Sequence, residues 1–135
     1  MNILIADDHA IVRKGLIQLL REEFPFATVT EANNSAEVFE KIKGTIWDIL
    51  LLDISMPGRN GVEVLKQLRS EGMKAPILML SMHPEEQYAV RVLKAGASGF
   101  LNKNSATEEL ISAVPKVLSG RKYITSSLAE KLAEN

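Results

Sequence analysis

Short stretches that are apolar at nearly every position alternate along this chain with longer stretches whose apolar residues recur at helical spacing. Residues 3–6, 49–52 and 77–80 are strongly apolar, and residues 28–31 and 99–101 form two weaker stretches. Strands that are apolar on both sides are typical of a parallel sheet covered by helices on both faces. The pattern therefore predicts five parallel strands, each followed by a helix, in a doubly wound α/β fold.

Residues at the helix boundaries add detail to this pattern. Asn34 with Glu37, and Ser105 with Glu108, have the spacing of a capping box and predict the starts of the second and fifth helices. Pro115 falls inside the fifth helix, where a proline removes one backbone hydrogen bond. We expect Pro115 to kink or shorten that helix.

The last part of the chain turns polar after the fifth helix. Residues 126–133 have the spacing for one or two turns of amphipathic helix, but the predicted sheet offers them nothing to pack on. We therefore expect residues 1–120 to form one domain and residues 121–135 to be a linker or a terminal helix.

Composition and charge exclude several classes of protein. With 135 residues, 46% of them hydrophobic, the chain fits one compact domain. The net charge of −1 gives no overall attraction to nucleic acid or to an anionic membrane. The sequence has no cysteine, which excludes disulfides and thiolate metal sites. Since no signal peptide or membrane-spanning stretch is recognisable, we expect a cytoplasmic protein without membrane contact.

Polar side chains come directly after four of the predicted strands. They are Asp7, Asp8, Asp53, Ser81 and Lys103. Ligands of open parallel sheets bind beyond the carboxyl ends of the strands, so we expect these side chains to share one crevice. Crowded carboxylates repel one another unless a cation neutralises them, and oxygen ligands favour Mg²⁺, or Mn²⁺, over zinc or copper. The sequence therefore predicts a magnesium site.

This set of residues is suited to phosphoryl transfer. An aspartate beside a metal ion, a lysine and a hydroxyl group can attack phosphorus and form an aspartyl phosphate, with Asp53 as the nucleophile and Ser81 and Lys103 assisting. Singly, each residue also fits an ordinary role as a helix cap, a satisfied hydroxyl or a surface lysine, so their joint placement carries the prediction. His9 and His83 have no triad pattern around them and are left out of the chemistry.

Four stretches of the sequence resemble a known family. They are IADDHAIVRKGL, LLLDISMPGRNGVEVL, ILMLSMH and AGASGFLNK. They resemble the successive motifs of the receiver domain of bacterial two-component response regulators, over residues 1 to about 120. The resemblance implies a flavodoxin-like fold with strand order 2-1-3-4-5, in agreement with the pattern of strands.

The resemblance also implies how a metal ion is held. Asp8 and Asp53 would be direct carboxylate ligands of Mg²⁺, and Asp7 would act through water. The backbone carbonyl of Ser55 would be a further ligand. Asp53 would be the phosphorylation site.

Three more residues take the places of the family's switch machinery. Ser81 corresponds to the switch threonine or serine, Phe100 to the mobile aromatic residue and Lys103 to the invariant lysine. The implied phosphoryl donors are a sensor histidine kinase or a small phosphodonor. Phosphorylation would change which partners one face of the domain binds, and a second copy of the chain, forming a homodimer, is one such partner. Such a domain is not an enzyme with a separate substrate, because it catalyses only its own phosphorylation and dephosphorylation.

The stretch DDHAIVRKGL and the tail SGRKYITSSLAEKL most resemble the NarL/FixJ-type branch with a LuxR-type output domain. Its members usually carry a helix-turn-helix DNA-binding domain after the receiver. We therefore expect residues 121–135 to lead toward an output domain missing from this sequence, and DNA contact to occur only through it. A stand-alone receiver is the other possibility for the chain.

Three other functions fit parts of the pattern. A haloacid-dehalogenase-like phosphatase also uses an aspartyl nucleophile and Mg²⁺, but it needs a second aspartate where this sequence has Ser55. A flavodoxin-type electron carrier needs a loop that binds a flavin phosphate, whereas Asp7 and Asp8 would repel one. A protein-interaction module that does not use phosphate remains the main alternative.

Overall fold

In a computed structural model, the backbone is described for residues 1–134, as are all their side chains except those of residues 85–87, 126 and 127. Strands and helices alternate as the sequence predicts. The strands are β1 (Asn2–Ala6), β2 (Thr28–Ala32), β3 (Ile49–Asp53), β4 (Ile77–Ser81) and β5 (Gly99–Asn102). The helices are α1 (Ala10–Glu23), α2 (Ser35–Lys41), α3 (Gly61–Ser70), α4 (Glu85–Lys94), α5 (Ala106–Leu118) and α6 (Ser126–Glu134).

The five strands form one parallel sheet in the order β2-β1-β3-β4-β5. Alternate residues of β1 face opposite sides, so Ile3 and Ile5 pack with α1 and α5, while Leu4 and Ala6 pack with α2, α3 and α4. Both faces of the sheet are therefore covered by apolar side chains, which is why the central strands are apolar throughout. The predicted doubly wound fold is confirmed.

The two predicted capping boxes differ. Glu37 N donates to Asn34 Oδ1 at 2.9 Å, so the predicted cap of α2 is confirmed, but the Glu37 carboxylate accepts from the amide of Asn33, at 3.2 Å, and not from that of Asn34 as in a complete box. Ser105 Oγ instead donates to Glu109 Oε2 at 2.6 Å, and the predicted box with Glu108 is wrong. The backbone of Ser105, with φ −120° and ψ 5°, is not in the extended conformation that capping residues usually adopt, and its Oγ makes no cap hydrogen bond.

Pro115 does not shorten its helix. Helix α5 continues for three more residues, to Leu118, so this part of the prediction is wrong. The carbonyl that loses its amide partner belongs to Ile111, a residue that is 41% exposed. The helix continues past Pro115 with Val114 and Val117 buried in the core.

The segment after α5 is packed against the rest of the domain, contrary to the expectation that it has nothing to pack on. Tyr123 N donates to the carbonyl of Ser98 at 2.8 Å, which places the segment beside β5. Gly99 permits this approach, because a Cβ there would lie 2.8 Å from the Tyr123 carbonyl oxygen. Helix α6 then places Leu128, 1% exposed, in the apolar cluster that includes α4. Within residues 1–134, no helix combines the length and apolarity needed to cross a membrane.

Candidate functional site

Buried polar side chains collect at the carboxyl edge of the sheet. Among the described side chains, five polar or charged residues are buried, and four of these are predicted site residues. These four are Asp7, Asp53, Ser81 and Lys103. They meet because β3, β4 and β5 run in register, with Asp53 beside Leu80 and Ser81 beside Asn102.

Lys103 is at the centre of the site. Its Nζ lies 2.9 Å from Asp7 Oδ1, 2.7 Å from Asp53 Oδ2 and 2.8 Å from His9 Nδ1. Its backbone amide donates to the Ser81 carbonyl at 2.8 Å, which holds the residue at the end of β5. One ammonium group therefore joins the ends of β1, β3 and β5.

Asp53 is a buried carboxylate in an uneven environment. Burial raises the pKa of Asp53 from its ordinary value of 3.8 to about 6, because removal from water disfavours the charged form. The Lys103 ammonium opposes this rise, and the Asp7 carboxylate adds to it. Asp53 Oδ1 also accepts from the amide of Ser55 at 3.1 Å, so the carboxylate is oriented from both sides.

Asp7 has one oxygen that the protein leaves unsatisfied. Its Oδ1 accepts from the amide of His9 at 2.8 Å and from Lys103, while Oδ2 is buried and has no hydrogen-bond partner among the described residues. Such an atom is costly unless a cation or water reaches it. Asp7, Asp8, His9 and Asp53 each offer a ligand atom, and these atoms lie within 4.8 Å of one another. The donor set therefore fits a divalent cation.

Two neighbouring residues fix the loops that carry the aspartates. The guanidinium of Arg13 donates to the Asp7 carbonyl and, at 2.8 Å, to Glu31 Oε1. Gly61 packs directly on the end of β3, where a Cβ would lie 2.8 Å from the Cα of Ile54. Neither residue was predicted, since both act through contacts with the backbone of distant segments.

The predicted switch residues lie on the two strands that follow β3, with Ser81 at the end of β4 and Phe100 within β5. Ser81 Oγ accepts from the amide of His83 at 2.9 Å, so its hydroxyl is engaged in its own loop. Phe100 is 6% exposed and belongs to the apolar cluster that includes Ala89 and Val92 of α4. Ser55 is exposed at the start of the loop after β3.

His9 is the residue that sequence reasoning missed. Its Nδ1 lies 3.3 Å from Asp8 Oδ1 and 3.4 Å from Asp7 Oδ1, in addition to its contact with Lys103. The signal available in the sequence was its position directly after the two aspartates. His83 makes a different contact, since its ring packs at 5.4 Å from that of Tyr88.

A family model for the response regulator receiver domain matches residues 3–115. The chain belongs to this family. The response regulator UvrY of Escherichia coli (strain K12) is 34% identical to this receiver over 133 residues, which are 98% of this chain and 61% of UvrY. The oxygen regulatory protein NreC of Staphylococcus epidermidis (strain RP62A) is 38% identical over 133 residues, or 98% of this chain and 61% of NreC. The receiver chain thus spans about three fifths of the length of the curated relatives it matches.

Solved structures of receivers agree with the fold. A LuxR-family two-component response regulator from Aurantimonas sp. SI85-9A1 matches with a TM-score of 0.85 at 34% identity, covering 98% of this chain and 95% of that one. The non-phosphorylated receiver domain of the stress response regulator RcsB from Escherichia coli matches with a TM-score of 0.84 at 27% identity, covering 93% of this chain and 98% of that one. The predicted receiver fold and the resemblance to the NarL/FixJ-type branch are confirmed.

Proposed function

We propose that this receiver accepts a phosphoryl group on Asp53, from a sensor histidine kinase or a small phosphodonor, in the presence of Mg²⁺. The observation that supports this most is the position of Lys103, whose Nζ lies 2.7 Å from Asp53 Oδ2 and 2.9 Å from Asp7 Oδ1. A buried carboxylate next to a fixed ammonium group has both the nucleophile and part of the charge compensation that phosphoryl transfer requires.

The transfer is a single displacement at phosphorus. A carboxylate oxygen of Asp53 forms a bond to phosphorus while the bond from phosphorus to the donor's nitrogen or oxygen breaks, and the bonding electrons leave with the donor. With a pKa of about 6, Asp53 is mostly ionised at neutral pH, so it needs no separate base. Lys103 offers its ammonium group to the oxygens of the incoming phosphoryl group.

The metal ligands that we propose are the aspartates of the acidic cluster and one backbone oxygen. Asp8 and Asp53 would bind Mg²⁺ directly, Asp7 through water, and the Ser55 carbonyl would add a further oxygen. The buried, unpartnered Oδ2 of Asp7 supports a cation at this place. When bound, Mg²⁺ neutralises negative charge on the phosphoryl oxygens.

Ser81 and Phe100 would carry the signal away from the site. A move of the Ser81 hydroxyl toward a phosphoryl group gives up its hydrogen bond from the amide of His83. Phe100 packs under α4, so a shift of β5 changes the face formed by α4, β5 and α5. That face would then select partners, including a second copy of this chain in a homodimer.

The biological output lies beyond the receiver itself. We expect the domain to catalyse only its own phosphorylation and dephosphorylation, in the cytoplasm. We expect any contact with DNA to be made by a helix-turn-helix output domain and not by the receiver.

Intact-protein mass spectrometry tests the proposal. The protein is incubated with acetyl phosphate and Mg²⁺, beside Asp53→Asn and a chelator control. Asp48→Asn is the matched control, because Asp48 is exposed at the opposite edge of the sheet. We expect one phosphoryl group on the wild type and on Asp48→Asn, and none on Asp53→Asn or with chelator. If the wild type gains nothing under any condition, the phosphate-independent interaction module becomes the better explanation.

A further inference from the structure

A polar cavity opens between the loops that carry the aspartates and helix α4. Its volume is about 380 Å³, which is within the range of small-molecule sites in proteins. Asp8 and Ser55 line it on the side of the loops, and Tyr88 and Arg91 line it on the side of α4. The cavity therefore has acidic groups on one wall and a cation on the other.

Three hydrogen-bond donors of this cavity have no acceptor among the described residues. They are the hydroxyl group of Tyr88, the guanidinium group of Arg91 and the side-chain NH₂ group of Asn60. The ring of Tyr88 is held in place by the ring of His83, at 5.4 Å between the two centroids. Donors without acceptors favour a ligand that brings acceptors, and the charge of Arg91 favours an anion.

We infer that this cavity receives the leaving group of a small phosphodonor, and that Arg91 is a specificity-determining residue that favours acyl phosphates, whose leaving group is a carboxylate. The inference rests on the proposed function, because a leaving group exists only if Asp53 is phosphorylated. It deepens that function by naming the class of small donor that the site prefers.

The burial of the site determines the side from which a donor approaches. Asp53 and Lys103 are buried, while Asp8 and Ser55 are exposed, so a donor approaches Asp53 past Asp8 and Ser55. The nucleophile and the leaving group lie on opposite sides of phosphorus, which puts the leaving group on the side away from Asp53. The space available there is the cavity that Asp8 and Ser55 line together with Arg91.

Charge separates two classes of small donor. When Asp53 attacks acetyl phosphate, the bond from phosphorus to the acyl oxygen breaks, the electron pair stays on that oxygen, and acetate leaves as an anion. When Asp53 attacks phosphoramidate, the bond from phosphorus to the protonated nitrogen breaks, and neutral ammonia leaves with the electron pair. A cation at the leaving group stabilises the charge that develops in the first reaction and gains nothing in the second.

Rates of phosphorylation by these two donors test the inference. Acetyl phosphate and phosphoramidate are given with Mg²⁺ to the wild type, Arg91→Gln, Arg91→Lys and Lys94→Gln, and intact-protein mass spectrometry follows the labelling of Asp53. Lys94 is the matched control, because it is an exposed cation of the same helix and does not line the cavity.

The expected result is a change in the ratio of the two rates. We expect Arg91→Gln to slow labelling by acetyl phosphate at least about fivefold and labelling by phosphoramidate less than about twofold. Arg91→Lys should fall between the wild type and Arg91→Gln, and Lys94→Gln should behave as the wild type. Arg91 is exposed, so its replacement leaves the core intact. No slowing with acetyl phosphate, or equal slowing with both donors, overturns the inference.

A binding measurement tests the cavity without phosphoryl transfer. Acetonylphosphonate, in which a CH₂ group replaces the bridging oxygen of acetyl phosphate, and methylphosphonate, which lacks the acyl group, are titrated into the wild type and Arg91→Gln and followed by nuclear magnetic resonance. We expect Arg91→Gln to bind acetonylphosphonate at least about threefold more weakly and methylphosphonate equally well. Equal affinities of the two proteins for acetonylphosphonate contradict the inference.

Failure of the inference differs from failure of the proposed function. If both donors label Asp53 at rates that Arg91→Gln leaves unchanged, only the inference is wrong. If neither donor labels Asp53 of the wild type, the proposed function is wrong and the inference falls with it.

Discussion

The carboxyl edge of the sheet and the segment after α5 are held by opposite kinds of interaction. At the edge, Lys103, 7% exposed, is bonded to Asp7 and Asp53, both of which are also buried. In the segment, Leu128 packs into an apolar cluster and Tyr123 is anchored by its backbone and its hydroxyl group. The first region depends on charge balance, and the second on apolar contact together with a few hydrogen bonds.

This difference determines how each region responds to a change. Removing one charge from a buried network leaves the others uncompensated, and this lowers the free energy of unfolding of the whole domain. Removing apolar contacts from a terminal segment costs at most the free energy of docking that segment, since it can open by itself. Changes at the site should therefore be global and sensitive to pH and metal, while changes in the segment should be local.

The largest effect is expected from Lys103→Met. Without the ammonium group, Asp7 and Asp53 repel each other in a buried place, and we expect a loss of about 3 kcal/mol or more in the free energy of unfolding at pH 7. Mg²⁺ should restore part of the lost free energy of unfolding. Urea denaturation with chelator and with Mg²⁺ measures both values, and Lys122→Met, at an exposed position, is the control. Equal stability of the two variants would contradict the view that charge balance holds this edge.

The pH dependence of stability follows from the raised pKa of Asp53. A carboxyl whose pKa is about 6 when folded and 3.8 when unfolded favours the folded state in its protonated form. Its contribution is complete below about pH 4 and is lost as the pH rises through 6. The difference between the two pKa values corresponds to about 3 kcal/mol. Urea denaturation in chelator should show this loss in the wild type and not in Asp53→Asn; parallel pH curves for the two proteins would exclude it.

Leu128→Ala tests the segment after α5, where we expect a local effect on docking. Removal of a buried leucine side chain should weaken docking of the segment by about 2 kcal/mol. Amide hydrogen exchange should speed up by about thirtyfold in residues 123–134 and stay unchanged in β1 and β3. Leu118→Ala is the control, because Leu118 is 38% exposed. Faster exchange throughout the sheet would mean that the segment is part of the cooperative core.

The smallest effect is expected from Tyr123→Phe. The Tyr123 hydroxyl donates to Glu109 Oε1 at 2.8 Å, and its loss should weaken docking by about 1 kcal/mol. Burial, together with this hydrogen bond and the charge of Glu109, raises the pKa of Tyr123 to about 12. An ultraviolet titration of the wild type should therefore contain a late step that is missing in Tyr123→Phe. Tyr88→Phe should keep that step.

Features of local origin were predictable from the sequence. The strands are apolar stretches, and Asp7, Asp53, Ser81 and Lys103 follow them directly, so the topology alone brings these residues to one edge. The cap formed by Asn34 was predictable for the same reason, since it needs only residues of its own helix.

Features that depend on distant surfaces were not predictable in this way. His9 enters the site because Lys103, 94 positions away, reaches its ring. Helix α6 packs because α4 presents an apolar surface and Gly99 leaves space for Tyr123. A periodic pattern shows that a helix has an apolar face, but it does not show what covers that face.

The approach of Tyr123 to β5 also affects the edges of the sheet. An exposed edge strand offers unpaired backbone groups on which another chain can add a strand and start aggregation. The two outer strands of this sheet are β2 and β5. Tyr123 pairs with β5 through its backbone, and on β2 the side chain of Lys41 donates to the carbonyl of Glu31. Backbone pairing thus blocks strand addition at one edge, and a charged side chain hinders it at the other. Loss of residues 121–134 would therefore expose β5 to self-association.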